Sequence, residues 1–301
     1  MRAIRMLRER APLVEQRLDD PVPAPGEVLV DVRCAGICHS DAHYRADASR
    51  VRLPLTLGHE VAGTVAGSGE RVALHYLMPN GDMLGKERDG GYAERIAVPA
   101  ENLVPIPDEV SFEQAAIMMC STATALHALR VAGFRAGQSL GILGFGGLGI
   151  SALQLGRALG ASRVAAADVV PEKLALAAAL GASTSLDGCD VILDFAGHAP
   201  ATLHALRALA YGGTLVLVAI NLRGLTIDAY ADVLARERRI AGCADHTHAE
   251  LVELMELARR GAIDLSAAIT RRVPLRADAI NEVLDELERG TAHVRTVIEV
   301  A

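Results

Sequence analysis

Tryptophan is absent, and aromatic residues make up only 3% of a 301-residue chain that is 51% hydrophobic. Large flat side chains therefore cannot build the interior; Ala, Val, Leu and Ile must fill it and line any substrate pocket. Positive charge is also in deficit, with 30 Lys and Arg against 37 Asp and Glu and a formal net charge of −7. Such a balance offers no footprint for nucleic acid or lipid headgroups and favours a small-molecule partner. Residues 1–12 hold arginines but lack the apolar run and small-residue cleavage site of a secretory signal, so a cytoplasmic location is expected. Internal repeats and low-complexity segments are missing. The five cysteines, at 34, 38, 120, 189 and 243, are odd in number and have no paired spacing. Thiols of this kind read as metal ligands or core fillers, not as a disulfide framework.

The most informative stretch is residues 139–173. A short apolar run, 140–143, breaks at Gly144, Gly146, Gly147, Leu148 and Gly149, and helix spacing follows through Leu153, Leu155 and Leu159, with Gly160 closing the helix. A second apolar run ends at Asp168, 19 residues beyond Gly149. Strand, glycine turn, helix, strand and acid is the arrangement that binds a dinucleotide. Gly144 permits the turn, Gly146 lets backbone approach a pyrophosphate, and Gly149 lets helix and strand pack closely. The N–H groups that open the helix face the phosphates. Asp168 is placed to accept the adenosine ribose hydroxyls and to repel a 2′-phosphate, which favours NAD over NADP. Residues 136–156 carry no charge and could suggest a membrane span, but seven glycines and the polar Gln138, Ser139, Ser151 and Gln154 argue for a buried strand and helix.

The chain is long enough for two domains. Strand patterns near 140–143, 163–168, 191–196, 214–220 and 239–243 alternate with helical ones, which predicts an α/β, doubly wound parallel Rossmann sheet. Residues 1–33 instead read as antiparallel β, with a clear strand at 27–33. From 246 the pattern gives a helix, a short strand at 269–275, a helix at 279–287 and a last strand at 295–300. Residues 34–74 crowd Cys38, His39, Ser40, Asp41, His43, His59 and Glu60 into one short region, a density that a neutral surface does not explain. Catalytic zinc takes three S and N ligands and keeps one position open, and Cys38, His59 and Cys120 fit that requirement.

The runs Gly36-Ile37-Cys38-His39-Ser40-Asp41 and Gly58-His59-Glu60 resemble the zinc signature of the zinc-dependent medium-chain alcohol dehydrogenase family. So do the entry at 69–72, Gly91-Tyr92-Ala93-Glu94, Cys120 in its setting, the glycine loop and the closing 293–298, in the same order along nearly the whole chain. The resemblance implies a mostly β, GroES-like catalytic domain (1–121 and 246–301) and an NAD-binding Rossmann domain (122–245), assembled as a homodimer or homotetramer. It implies zinc on Cys38, His59 and Cys120, with Glu60 as an alternate ligand, and Asp41 holding the far ring nitrogen of His59. Ser40 and His43 would relay the alcohol proton, and His39 would meet the pyrophosphate. Thr124 would pack on the nicotinamide, Lys173 would touch the ribose, Val218 and Ala219 would present backbone to the amide, and Arg295 would reach the pyrophosphate.

One departure stands out. Where the family's usual members carry four close cysteines for a structural zinc, residues 61–119 here contain none, so a single catalytic ion is expected. The function implied is reversible hydride transfer between an alcohol and NAD. A zinc-free quinone or enoyl reductase of the same fold would lack the ligand set. A noncatalytic NAD-binding protein would have no use for a proton relay. Met118, Met119 and Leu84 are candidates for an apolar pocket wall; Cys34, Cys189 and Cys243 read as core thiols.

Overall fold

The computed structural model describes residues 1–220, 224–290 and 294–300. The chain divides into two compact units, Met1–Cys120 with Leu251–Ala301, and Ser121–Glu250. The first begins with β1 (Arg2–Met6), β2 (Val14–Arg17), β3 (Glu27–Ile37), α1 (His39–Ala46), β4 (Leu55–Thr56), β5 (Glu60–Val65), β6 (Arg71–Leu74), β7 (Arg95–Pro99), β8 (Leu103–Pro105) and α2 (Phe112–Ile117). A π-helical turn, Met118–Thr122, then leads into the second unit.

In that unit α3 (Ala123–Val131) precedes β9 (Ser139–Leu143), α4 (Gly147–Ala158), β10 (Arg163–Ala167), α5 (Pro171–Ala179), β11 (Cys189–Asp194), α6 (Ala199–Ala208), β12 (Leu209–Leu217) and β13 (Arg239–Gly242). The five strands form one parallel sheet in the order β10-β9-β11-β12-β13, with the strand order reversing at β9. Every residue of β9 is buried, as expected of a strand with both faces covered. Gly160 follows the end of α4 in the left-handed region, φ +85°, where a side chain would be strained. The fold class is therefore α/β, with a parallel Rossmann-type sheet in one unit and mostly antiparallel β structure in the other.

After α7 (His248–Arg259), the chain supplies β14 (Ile269–Pro274), α8 (Ala277–Arg289) and β15 (Arg295–Glu299) to the first unit. These join a sheet of order β14-β15-β3-β5-β6-β8, with β7 also paired to β3; β2, β1 and β4 form a small separate sheet. Strand β3 organises the unit. Its first half pairs with β7 and its second half lies between β5 and β15, with Gly36 opposite both Glu60 and Val297. Aliphatic side chains dominate the core around it, including Ile4, Leu57, Val61, Leu74, Ile280 and Ile298. Leu84 belongs to this core, and Met118 and Met119 are fully buried.

Candidate active site

Strand β3 runs to Ile37, beyond the expected end at 33, and so delivers Cys38 to the first turn of α1. Cysteine is a poor helix cap, and the third helical residue makes up for it: Asp41 Oδ2 accepts the backbone N–H of Cys38 at 2.9 Å. The same oxygen accepts the Tyr92 hydroxyl at 2.8 Å, and Oδ1 stands 3.4 Å from His59 Nδ1. Asp41 is fully buried. With Nδ1 turned to Asp41, Nε2 is the nitrogen of His59 left to bind a ligand.

His59 immediately precedes β5, which opens at Glu60, and Cys120 lies in the π-helical turn. One donor atom from each of Cys38, His59, Glu60 and Cys120 falls within 4.8 Å of all the others. Tetrahedral zinc with bonds of 2.0–2.3 Å sets its ligands roughly 3.5 Å apart, so sub-ångström to ångström shifts would close the cluster on an ion. The Cys38 thiol is held well below its ordinary range, first by a hydrogen bond from Cys120 and then, against burial, by His59. Cys120 is pushed up as the donor of that bond and by burial. Burial alone would lower His59, but Asp41 and Cys38 carry it well above the imidazole range. Among the described residues, the buried Glu60 Oε1 has no hydrogen-bond partner. The donor set fits a divalent zinc ion.

Within the chain itself, the partner of Arg295 is a carboxylate of the ligand cluster. Because β15 pairs antiparallel with the end of β3, its guanidinium enters the ligand cluster, and its NH2 group bonds Glu60 Oε2. Only 6% of Arg295 is exposed and none of Glu60. Burial pushes the Glu60 carboxyl up to about 7, with Arg295 pulling the other way. The strand pattern gave Arg295 its position but not this carboxylate.

The expected relay residues share α1. Ser40 is half-buried, while His39 and His43 lie on the exposed face with their rings stacked at a centroid distance of 4.7 Å. Burial, and then the neighbouring His39, lower His43 below the ordinary imidazole range. The helix is anchored from behind by Arg45, which bonds Asp285 at 2.6 Å and Glu288 at 2.7 Å on α8.

In the second unit the glycine turn and the acid come together. Gly144 adopts φ +94°, α4 starts at Gly147 after Gly146, and a Cβ on Gly149 would lie 2.7 Å from Gly144 O. Asp168 follows the end of β10 and accepts the N–H groups of Phe145 at 2.7 Å and Val170 at 2.9 Å. This fixes the carboxylate against the glycine loop. Lys173 lies in the first turn of α5, and Thr124 is partly exposed on α3. Val218 and Ala219 come just after β12, and both N–H groups donate to Asp194 O, so their carbonyls are the groups left to offer.

Two residues carry more than their sequence suggested. Tyr92 was only part of a motif, and Tyr76, whose ring meets His59 edge-on at 5.4 Å, had no signal at all. His127 pairs with Glu250 at 2.9 Å inside the second unit, a structural contact that helix periodicity does not announce. Cys34 and Cys189 are buried; Cys243 is partly exposed, with its thiol pushed up to about 11 by burial.

Comparison with known proteins gives the same picture. Residues 24–108 match the alcohol dehydrogenase GroES-like domain. The chain is 30% identical to an alcohol dehydrogenase of Geobacillus stearothermophilus, over all of both chains. It is 31% identical to an NAD-dependent alcohol dehydrogenase of Sulfolobus acidocaldarius, again over the full length of both. The structure of acetophenone reductase from Geotrichum candidum in complex with NAD superposes with a TM-score of 0.88 at 26% identity, covering 99% of this chain and 96% of that one. Full-length identity at this level, added to the ligand cluster and the glycine loop, makes the chain a member of the zinc-dependent medium-chain alcohol dehydrogenase family.

Proposed function

We propose that the protein is an NAD-dependent zinc alcohol dehydrogenase that interconverts a small alcohol with its aldehyde or ketone. The observation that carries this reading is the convergence of Cys38, His59, Glu60 and Cys120, whose ligand atoms all lie within 4.8 Å of one another. Bound zinc would supply Lewis acidity at the substrate oxygen, and NAD would take up or return the hydride.

The chain's own residues supply the rest. Cys38, His59 and Cys120 would hold the ion, and Asp41, facing Nδ1, leaves Nε2 as the nitrogen that His59 offers to it. Glu60, restrained by Arg295, is the reserve donor. Ser40 receives the alcohol proton and His43 passes it to water, a task suited to an imidazole that is neutral at ordinary pH. In the nucleotide unit the N–H groups at the start of α4 would meet the pyrophosphate. Asp168 would take the ribose hydroxyls beside Lys173, Thr124 would pack on the nicotinamide ring, and the carbonyls of Val218 and Ala219 would receive its amide.

A homodimer or homotetramer belongs to this reading, as does a reducing cytoplasm that keeps Cys38 and Cys120 as thiols. Among the described residues no helix is long and apolar enough to cross a membrane. The test is a metal assay on purified protein, together with NAD reduction over a panel of primary, secondary and polyol alcohols. Activity should vanish on complete chelation and return with Zn(II); undiminished turnover by zinc-free protein would overturn the reading.

A further inference from the structure

The hydroxyl of Tyr92 is enclosed: the residue is 0% exposed, and among the described residues its hydroxyl makes one hydrogen bond, to Asp41 Oδ2 at 2.8 Å. A phenol buried in an aliphatic core is destabilising when its hydroxyl is unsatisfied, and phenylalanine would fill the same space without that risk. The hydroxyl is therefore informative about what it bonds.

The backbone is shaped to bring it there. Residues 90–92 run along 57–58, with Gly91 N–H on Gly58 O at 2.8 Å and Tyr92 N–H on Leu57 O at 3.0 Å. The ring then passes directly over Gly58. A Cβ on Gly58 would lie 2.4 Å from Tyr92 Cδ1, and its φ of +98° already disfavours any side chain. The glycine before the ligand His59 is thus the opening through which Tyr92 reaches Asp41. At Asp41 two donors converge on one oxygen, Tyr92 O–H and Cys38 N–H, while Oδ1 has no hydrogen-bond partner among the described residues and stands 3.4 Å from His59 Nδ1. Two donors on Oδ2 set the plane of the carboxylate and leave Oδ1 aimed at the imidazole.

We infer that Tyr92 is a positioning residue for the metal ligand His59, acting through the carboxylate of Asp41. The inference rests on the zinc reading given above. Loss of the hydroxyl lets the carboxylate turn, loosens the His59 Nδ1–H contact and weakens the hold of Nε2 on the ion.

Wild type, Tyr92→Phe, Asp41→Asn and the double variant are loaded with Zn(II), and its release to excess EDTA is timed. Changing a partner of a metal ligand typically costs 10–100-fold in metal affinity, so Asp41→Asn should fall there and Tyr92→Phe, one bond further out, at ~3–10-fold faster release. The double variant should release no faster than Asp41→Asn alone. With Co(II) in place of Zn(II), the paramagnetically shifted Nδ1 proton of His59 should exchange with water faster in Tyr92→Phe, a change that loose packing alone would not produce. Tyr92→Met, flexible enough to fill the same space, serves if the Phe variant does not fold. Release unchanged in Tyr92→Phe, or the same increment repeated in the Asp41→Asn background, overturns the inference. Wild type that retains no zinc overturns the zinc reading itself, and this inference with it.

Discussion

Replacing Arg295 with Met strands the Glu60 carboxylate in the interior without its counter-ion. Removing one member of a buried ion pair costs about 3–5 kcal/mol, unless the remaining group can neutralise itself. Glu60 can do so by taking up a proton. Its carboxyl is already pushed up to about 7 by burial, against the pull of Arg295, whereas an unfolded chain keeps a glutamate near ~4.3. Loss of Arg295 raises the folded value further and leaves the unfolded one alone. A carboxyl whose folded value exceeds its unfolded one binds its proton more tightly in the folded state, so its contribution is complete at low pH and drains away as the pH rises through the folded value. Wild type has finished that loss near pH 7, but the variant continues to lose stability above it. The two should therefore differ little near pH ~6 and diverge above neutrality by about 1.4 kcal/mol per pH unit, towards the buried-pair ceiling. Urea unfolding of metal-free protein at pH ~6 and ~8.5 measures the difference directly. Glu60→Gln with Arg295→Met should recover most of the loss at high pH. Equal destabilisation at both pH values, or no recovery in the double variant, would refute the reasoning; a raised KM for NAD alone would instead return Arg295 to the phosphate suggested by its sequence position.

Metal analysis of the active protein should give one zinc per chain, because residues 61–119 offer no cysteine for a second; two tightly held ions per chain would contradict this. Replacing His43 with Gln should lower kcat about 10-fold or more at neutral pH, on the scale of a lost proton-transfer group. In wild type the acid limb of the pH profile should fall below the ordinary imidazole range, since burial and then His39 depress His43; an acid limb above that range, or one unchanged in His43→Gln, would remove His43 from the relay. Asp168→Ser should shift the NAD to NADP preference by ~10–100-fold, the scale of one or two charged hydrogen bonds. An unchanged ratio of kcat/KM for the two cofactors would show that the ribose is recognised elsewhere.

The nucleotide unit was legible because its signals are local. Strand, glycine turn and helix are adjacent in sequence, and Asp168 closes the pattern from one strand away, where it accepts Phe145 N–H at 2.7 Å. Cys38, His59 and Cys120 were legible as ligand types, but their convergence depends on three elements, β3, β5 and the π-helical turn, whose register no local pattern specifies. Arg295 shows the limit most plainly. Its strand was expected, yet the carboxylate it meets is fixed by β15 pairing antiparallel to the end of β3 while β5 pairs on the other side. Tyr92 was hidden for a related reason, since a tyrosine in a glycine-flanked motif reads as packing until Asp41 is found at the end of its ring.

These two residues explain how the site keeps its shape when its protons are exchanged for a cation. The ligands are surrounded by groups that cannot follow them: Asp41 is held by Tyr92 and by the Cys38 backbone, and Glu60 Oε2 is held by Arg295. What can leave is the proton on Cys120 and the charge on His59, both of which their neighbours hold in place. Loading an ion then needs little rearrangement of the backbone, but it must expel those protons, because a thiolate and a neutral imidazole are the forms that bind. Metal uptake should accordingly strengthen with pH, with up to two protons released per ion, while the frame of Tyr92, Asp41, Glu60 and Arg295 stays as it is. A site that bound zinc with no proton release would have its thiolates and imidazole already bare, which the hydrogen bond between Cys120 and Cys38 argues against.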